Sequence, residues 1–234
     1  MITIHTGKLG VGKSYWATRD VWKQIVRGKD CYVNWKIDFD SYWSHRTTNW
    51  RGLLWGLWIK FTFANRKFGN VYYWETLDDL YSLRNGEVYF DEAHMAVDAR
   101  DFAKLPKSFK TKLTQSRKYG LNLHFITQHQ GQIDIAVRRL ANSIIVHKKF
   151  SKIFYWKEWD GEAIEILMNP AIPAPKSMGY GVYLFSKKLA KSYNTFALFD
   201  QFKEYKGKPM WSVKKYYSEV SAQPIKALKG GDKK

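Results

Sequence analysis

Along the first thirty-five residues the hydrophobic period changes twice. Ile2-Thr3-Ile4-His5 alternates apolar and polar positions, which predicts a short strand. From Ser14 to about Gly28 the spacing lengthens: Ala17, Val21 and Ile25 recur every four residues, with Trp22 and Val26 beside them, and Gly28 is a helix stop. Cys31–Trp35 returns to a strand pattern, and Val71–Trp74 predicts another. Thr76 with Asp79 three residues later opens a helix to about Leu83, Asn85-Gly86 is a turn signal, and Glu87–Asp91 is an apolar strand that ends in acid. A basic helix over Lys107–Lys118 is broken by Gly120. Leu121–Thr127 then forms a strand ending at Gln128, Ile135–Leu140 a short helix, and Ser143–Val146 a further strand.

Strands and helices alternating at this spacing predict an α/β fold with a mostly parallel central sheet and crossover helices. After Phe150 the pattern weakens into hairpin strands, and Pro170, Pro173 and Pro175 mark a loop. The expected organisation is one domain over residues 1–200, with an aromatic and basic insertion at 36–70. A basic tail follows at 201–234, its end frayed around Gly230-Gly231.

Composition narrows the reading. With 45% hydrophobic and 17% aromatic residues in 234, the chain has ample core material, which excludes a predominantly disordered protein. A formal net charge of +18 draws polyanions, nucleic acid first and anionic membrane second. Cys31 as the lone cysteine excludes an internal disulfide framework and a cysteine-based zinc site, and suits a reducing compartment. No signal-peptide pattern precedes the first strand. Gly52–Ile59, the best apolar run, is closed by Arg51 and Lys60 and is far short of the about twenty residues a membrane crossing needs. It reads as a buried strand or short helix. The other reading is peripheral membrane contact, for which Trp50, Trp55 and Trp58 with Arg66 and Lys67 are suited.

The chemistry lies in Gly7-Lys8-Leu9-Gly10-Val11-Gly12-Lys13-Ser14, which fits the phosphate-binding pattern G-x-x-x-x-G-K-[ST] without a mismatch. Glycines let successive backbone N–H groups turn toward phosphate oxygens, and the following helix adds its dipole. Lys13 brings a charge to the outer phosphates of ATP, and the Ser14 hydroxyl suits Mg2+. Seventy-odd residues on, a strand lying beside the first would deliver Asp91 to the magnesium, and Glu92 would polarise the attacking water as general base. Gln128, ending another strand, would sense the terminal phosphate or orient that water. Arg117, Arg138 and Arg139 are candidates for stabilising transition-state charge, with nucleic-acid contact or a solvated face as the alternatives. His45, His94, His124, His129 and His147 show no metal-ligand spacing.

With this loop, the Asp91-Glu92 pair and the strand ending in Thr127-Gln128, the chain resembles the FtsK/HerA-type P-loop ATPases. More narrowly it resembles the zonular occludens toxin-like group, which includes assembly ATPases of filamentous phages. Ser116-Arg117-Lys118-Tyr119-Gly120, Ile133-Asp134, Arg138-Arg139-Leu140 and Tyr193-Asn194-Thr195 match that group's later elements. The resemblance implies a RecA-like P-loop fold with a small β-containing C-terminal extension. It also implies a ring-forming, hexameric, magnesium-dependent ATPase that moves or exports viral DNA in virion assembly. Lys13 and Ser14 match the family's phosphate loop, Asp91 and Glu92 its magnesium and catalytic acids, Gln128 its sensor, and Arg117 its arginine finger. The partners implied are viral genomic DNA, further copies of the chain, and a viral capsid or membrane vertex, in the host cytoplasm or the virion. Filamentous-phage relatives usually continue into a transmembrane helix that is missing here, which favours the short genome-packaging motors.

Other classes remain open. Asp91-Glu92-Ala93-His94 spells a helicase box, but the chain is too short for two motor domains. Lys8 resembles the early lysine of partition ATPases, against which Glu92 speaks. A basic virion protein with a vestigial nucleotide site is the non-enzymatic alternative.

Overall fold

The computed structural model describes residues 1–43, 68–95, 97, 105–193 and 208–215. Nine strands form one sheet: β1 (Ile2–Thr6), β2 (Cys31–Val33), β3 (Val71–Tyr73), β4 (Gly86–Phe90), β5 (Leu121–Ile126), β6 (Ser143–Phe150), β7 (Ile153–Asp160), β8 (Gly179–Leu184) and β9 (Pro209–Trp211). Their spatial order is β8-β7-β6-β1-β5-β4-β2-β3-β9. The strands from β6 to β3 pair in parallel, whereas β7, β8 and β9 join antiparallel at the two edges. The α/β reading, with a mostly parallel sheet and a β-containing extension, holds.

The inner strands β1 and β4 are buried along their whole length, as a sheet covered on both faces requires. Helix α1 (Lys13–Val26) lies over one face and packs Tyr15, Ala17, Val21, Trp22 and Ile25 against Val33, Tyr89 and Ile126. On the other face, α2 (Lys107–Thr114) and α3 (Ile135–Leu140) bring Phe109, Leu113 and Val137 onto Ile4, Val88, Phe90 and Phe125. Short helices α4 (Ala163–Met168) and α5 (Lys187–Ala190) complete the described elements, with 3-10 turns at Leu77–Ser82, Ala93–Met95 and Gln130–Gln132.

Several expectations change in detail. The capping pair Thr76 and Asp79 forms as read, yet starts a 3-10 turn and not an α-helix. The basic helix stops at Thr114, short of Lys118, and the chain turns through Gly120 at φ +66°. The strand from Ser143 runs on to Phe150, because pairing with β7 continues to its tip.

One correction concerns order: the strand ending in Asp91 does not lie beside the first strand, since β5 is hydrogen-bonded between β1 and β4. Ile37, Phe39 and Trp43, at the head of the expected insertion, are core residues, and Trp211 of β9 donates to Asp40 at 2.7 Å. The sheet thus reaches past residue 200, where a tail was expected. Trp50, Gly52–Ile59, Trp55, Trp58, Arg66, Lys67, Asn194, Thr195 and residues 216–234 lie outside the described residues. Among those described, no helix is long and apolar enough to cross a membrane.

Candidate functional site

The phosphate loop springs from the C-terminal end of β1. Gly12, the cap of α1, takes φ +86°. A Cβ there would stand 2.4 Å from the Phe154 ring, and one at Gly7 would stand 2.6 Å from the His147 carbonyl oxygen. Those two positions demand glycine. No side chain caps α1 and no acid sits in its first turn, so its leading N–H groups face the loop with their positive dipole end. Lys8, Leu9 and Gly10 form the exposed rim. Lys13 folds into the loop, its Nζ donating to the carbonyls of Gly7 at 2.7 Å and Lys8 at 3.1 Å. Burial lowers its pKa, and the charges of Glu92 and Asp91 oppose that.

Asp91 follows β4 at the same end of the sheet. Burial raises its pKa, against which the neighbouring Ser14 hydroxyl works. Asn34, just beyond β2, holds the Asp91 backbone by two bonds: Asp91 N donates to Asn34 Oδ1 at 2.8 Å and Asn34 Nδ2 to Asp91 O at 2.9 Å. Glu92 N donates to Asp91 Oδ1 at 3.1 Å. Glu92 sits at φ +50°, a left-handed conformation costly for a residue with a side chain and concentrated at functional sites. Its Oε2 lies 3.4 Å from His94 Nδ1. Ser14 and Asp91 together offer two adjacent hard oxygen donors, which suit Mg2+ completed by phosphate and water oxygens.

Gln128 also reaches this edge, from β5. Its backbone oxygen accepts from Gly7 N at 3.4 Å and Thr6 Oγ1 at 3.2 Å, and its side chain is exposed. The strand that separates β1 from β4 is therefore the one that carries Gln128 to the loop.

The arginines fall elsewhere. Arg117 precedes β5, and Arg138 and Arg139 precede β6. Both strands run parallel to β1, so all three sit at the sheet end away from the loop of their own chain. A six-residue strand separates Arg117 from Gln128 by about 20 Å. Arg117 is exposed, while Arg138 Nε lies 3.4 Å from Glu165. Within the basic helix, Lys112 does not face solvent: it is 8% exposed, donates to the Leu83 carbonyl at 2.6 Å and covers the Tyr119 ring.

Asn34 escaped the sequence reading. Its only sequence signal is a polar residue directly after an apolar strand. The assembly of His5, His124 and His147 was missed as well.

A family model described as zonular occludens toxin (Zot) matches residues 1–157, two thirds of the chain. The chain belongs to the Zot family. Among solved structures, this Zot-family chain is similar to the N-terminal domain of zonular occludens toxin from Neisseria meningitidis, at 15% identity and TM-score 0.49, covering 82% of this chain and 98% of that one. It is also similar to the genome packaging NTPase B204 from Sulfolobus turreted icosahedral virus 2 in complex with ATP-gammaS, at 14% identity and TM-score 0.43, covering 69% and 92%. A third similarity is to the flagellar accessory protein FlaH from Methanocaldococcus jannaschii, at 13% identity and TM-score 0.39, covering 68% and 77%. No curated protein sequence matches the chain.

Proposed function

We propose that this Zot-family chain is a magnesium-dependent ATPase that moves viral DNA during virion assembly, working as a homo-oligomeric ring. The observation that carries this reading is the meeting of Lys13, Ser14, Asp91 and Glu92 at one sheet edge, with the Ser14 hydroxyl beside the Asp91 carboxylate and Glu92 within electrostatic reach of Lys13. Ser14 and Asp91 would hold Mg2+, which when bound neutralises phosphate charge. Lys13 leaves its loop carbonyls to bind the outer phosphates. Glu92 takes the proton of the water that attacks the terminal phosphoryl group, and Gln128 orients that water. A neighbouring copy supplies Arg117, which lies at the sheet end away from the loop of its own chain.

The test is ATP hydrolysis by the purified chain with and without magnesium, and with single- or double-stranded DNA at several salt concentrations. DNA should raise turnover. Its affinity should fall steeply with salt, with a slope of about −0.9 per phosphate contact on duplex or about −0.7 on single strands. Absence of hydrolysis with both magnesium and DNA would leave only the vestigial nucleic-acid binder. A second reading, an export ATPase at a membrane vertex, is favoured by the β6–β7 tip. There Phe150 is 74% exposed among the exposed Lys148, Lys149 and Lys152. Flotation with anionic vesicles separates it from packaging.

A further inference from the structure

Beneath α1, four neighbouring strands each contribute one polar side chain to a continuous row. His147 Nε2 of β6 lies 3.2 Å from His5 Nδ1 of β1, and His5 Nε2 lies 3.2 Å from His124 Nδ1 of β5. His124 Nε2 lies 3.1 Å from Glu87 Oε2 of β4, whose other oxygen accepts from Lys29 Nζ at 2.6 Å and Asn122 Nδ2 at 3.0 Å. His5 is 0% exposed and His147 1%. From α1, Trp16 covers the row, its ring centroid 4.3 Å from His5 and 5.4 Å from His147. Tyr89 stacks on His124 at 4.5 Å and donates its hydroxyl to Asp20 at 2.7 Å. The rings are strung out and not convergent: each nitrogen of His5 faces a different histidine, which is no arrangement for a shared metal.

The row has a direction. The Glu87 carboxylate, paired with Lys29, can only accept, so His124 Nε2 must carry the proton. With His124 neutral, its Nδ1 is an acceptor, and His5 Nε2 must donate to it. His5 Nδ1 is in turn an acceptor, and His147 Nε2 must donate. Burial favours the neutral form of His5 and His147, and the row then runs one way, with a proton on each Nε2. The remaining nitrogen, His147 Nδ1, is buried and has no hydrogen-bond partner. It is the free end, and it belongs to the residue whose carbonyl abuts Gly7 and whose ring feels the Lys13 charge.

We propose that Glu87, His124 and His5 form a directional hydrogen-bond relay that locks His147 in one neutral tautomer, making His147 a positioning residue for the floor of the phosphate loop. The inference rests on the reading of that loop as a nucleotide site. The lock keeps a second positive charge from forming beneath Lys13. It also leaves one buried acceptor on the residue whose carbonyl abuts Gly7, so occupation of the loop and the state of a ring three strands from Glu87 are linked.

Nitrogen-15 NMR of histidine-labelled protein tests this, with resonances assigned by single His→Gln variants. In the wild-type chain at pH 7, His5, His124 and His147 should all show a protonated Nε2 and a bare Nδ1. A charged ring, or a proton on Nδ1 in any of the three, overturns the relay without any variant being made. Glu87→Gln offers His124 either a donor or an acceptor, so His147 resonances should average or double three strands away. Unchanged His147 signals in that variant also overturn the relay. Adding magnesium with a non-hydrolysable ATP analogue should shift His147 Nδ1 more than His124 Nε2. His147→Leu should weaken analogue binding about ten-fold, and His147→Gln, which keeps a donor for His5, should recover most of it. If the analogue binds but His147 does not respond, the positioning role falls and the nucleotide site stands. If nothing binds, the nucleotide reading falls, and the positioning role falls with it, whatever the tautomers.

Discussion

At the scale of single residues, Lys13 and Glu92 are expected to separate binding from chemistry. Lys13 is the one loop side chain folded inward, held on the Gly7 and Lys8 carbonyls. Lys13→Ala removes the charge facing the outer phosphates, so fluorescent-nucleotide titration should show binding lost with turnover. Glu92→Gln keeps the shape of the strained Glu92 position but loses basicity. Analogue affinity should stay within about two-fold while single-turnover hydrolysis drops by roughly 10²–10⁴, the usual worth of a general base. Equal loss of binding in both variants would remove Glu92 from the chemical step.

At the scale of elements, the site depends on how β4 ends. Asp91 leaves the strand with its backbone tied to Asn34 of the neighbouring chain segment, and Glu92 then turns through φ +50°. Asn34→Ala would leave the Asp91 N–H and C=O without these partners in a half-buried place. A cost of about 1–3 kcal/mol is expected in urea denaturation. Because the tie sets where Asp91 and Glu92 point, turnover should fall more than nucleotide affinity. A variant with wild-type turnover would show that the strand end is held well enough by its other contacts.

At the scale of the whole molecule, the buried histidine row links stability to pH. Burial, and then the Lys13 charge, hold His147 down to about 3, against an ordinary 6.5. Burial, then His124 and His147, keep His5 well below that value too. Both rings bind protons more readily in the unfolded chain. Their stabilisation is therefore whole above about pH 6.5 and shrinks as pH falls toward their folded values. Glu87 adds a later loss: burial pushes its pKa up, but hydrogen bonds from His124 and Lys29 outweigh this and bring it to about 2 from 4.5. The window between pH 6.5 and 4.5 belongs to the histidines. His147 by itself should lower the denaturation free energy by on the order of 2 kcal/mol between pH 7 and 5, and His5 acts in the same direction. His147→Gln should flatten that slope, and a flat wild-type profile would contradict neutral burial. Assembly belongs to this scale as well. Arg117 is exposed and at the far end of the sheet from its own loop, so in the proposed ring it can serve only a neighbour's site. Arg117→Ala should bind ATP nearly normally and hydrolyse it roughly 10³-fold slower or worse. Mixing it with Lys13→Ala should restore some turnover in mixed rings, and no recovery there would exclude Arg117 as the shared residue.

What the sequence determined by itself is what short range decides. The loop 7–14 is contiguous, and its geometry follows from glycine freedom and one helix start, so its residues could be named before any fold was known. Strand and helix periods likewise follow from which side of each element is apolar, and most boundaries fell within a few residues of the pattern. The tertiary structure alone decided neighbours. Asp91 could be read as ending a strand, but not that β5 would lie between that strand and β1, because strand order depends on how crossover helices cover the two faces. His5, His124 and His147 are separated by more than a hundred residues along the chain from one to the next ring on either side of His5. No spacing rule reaches that far, and only the parallel register of β6, β1, β5 and β4 draws them, with Glu87, into one row under Trp16.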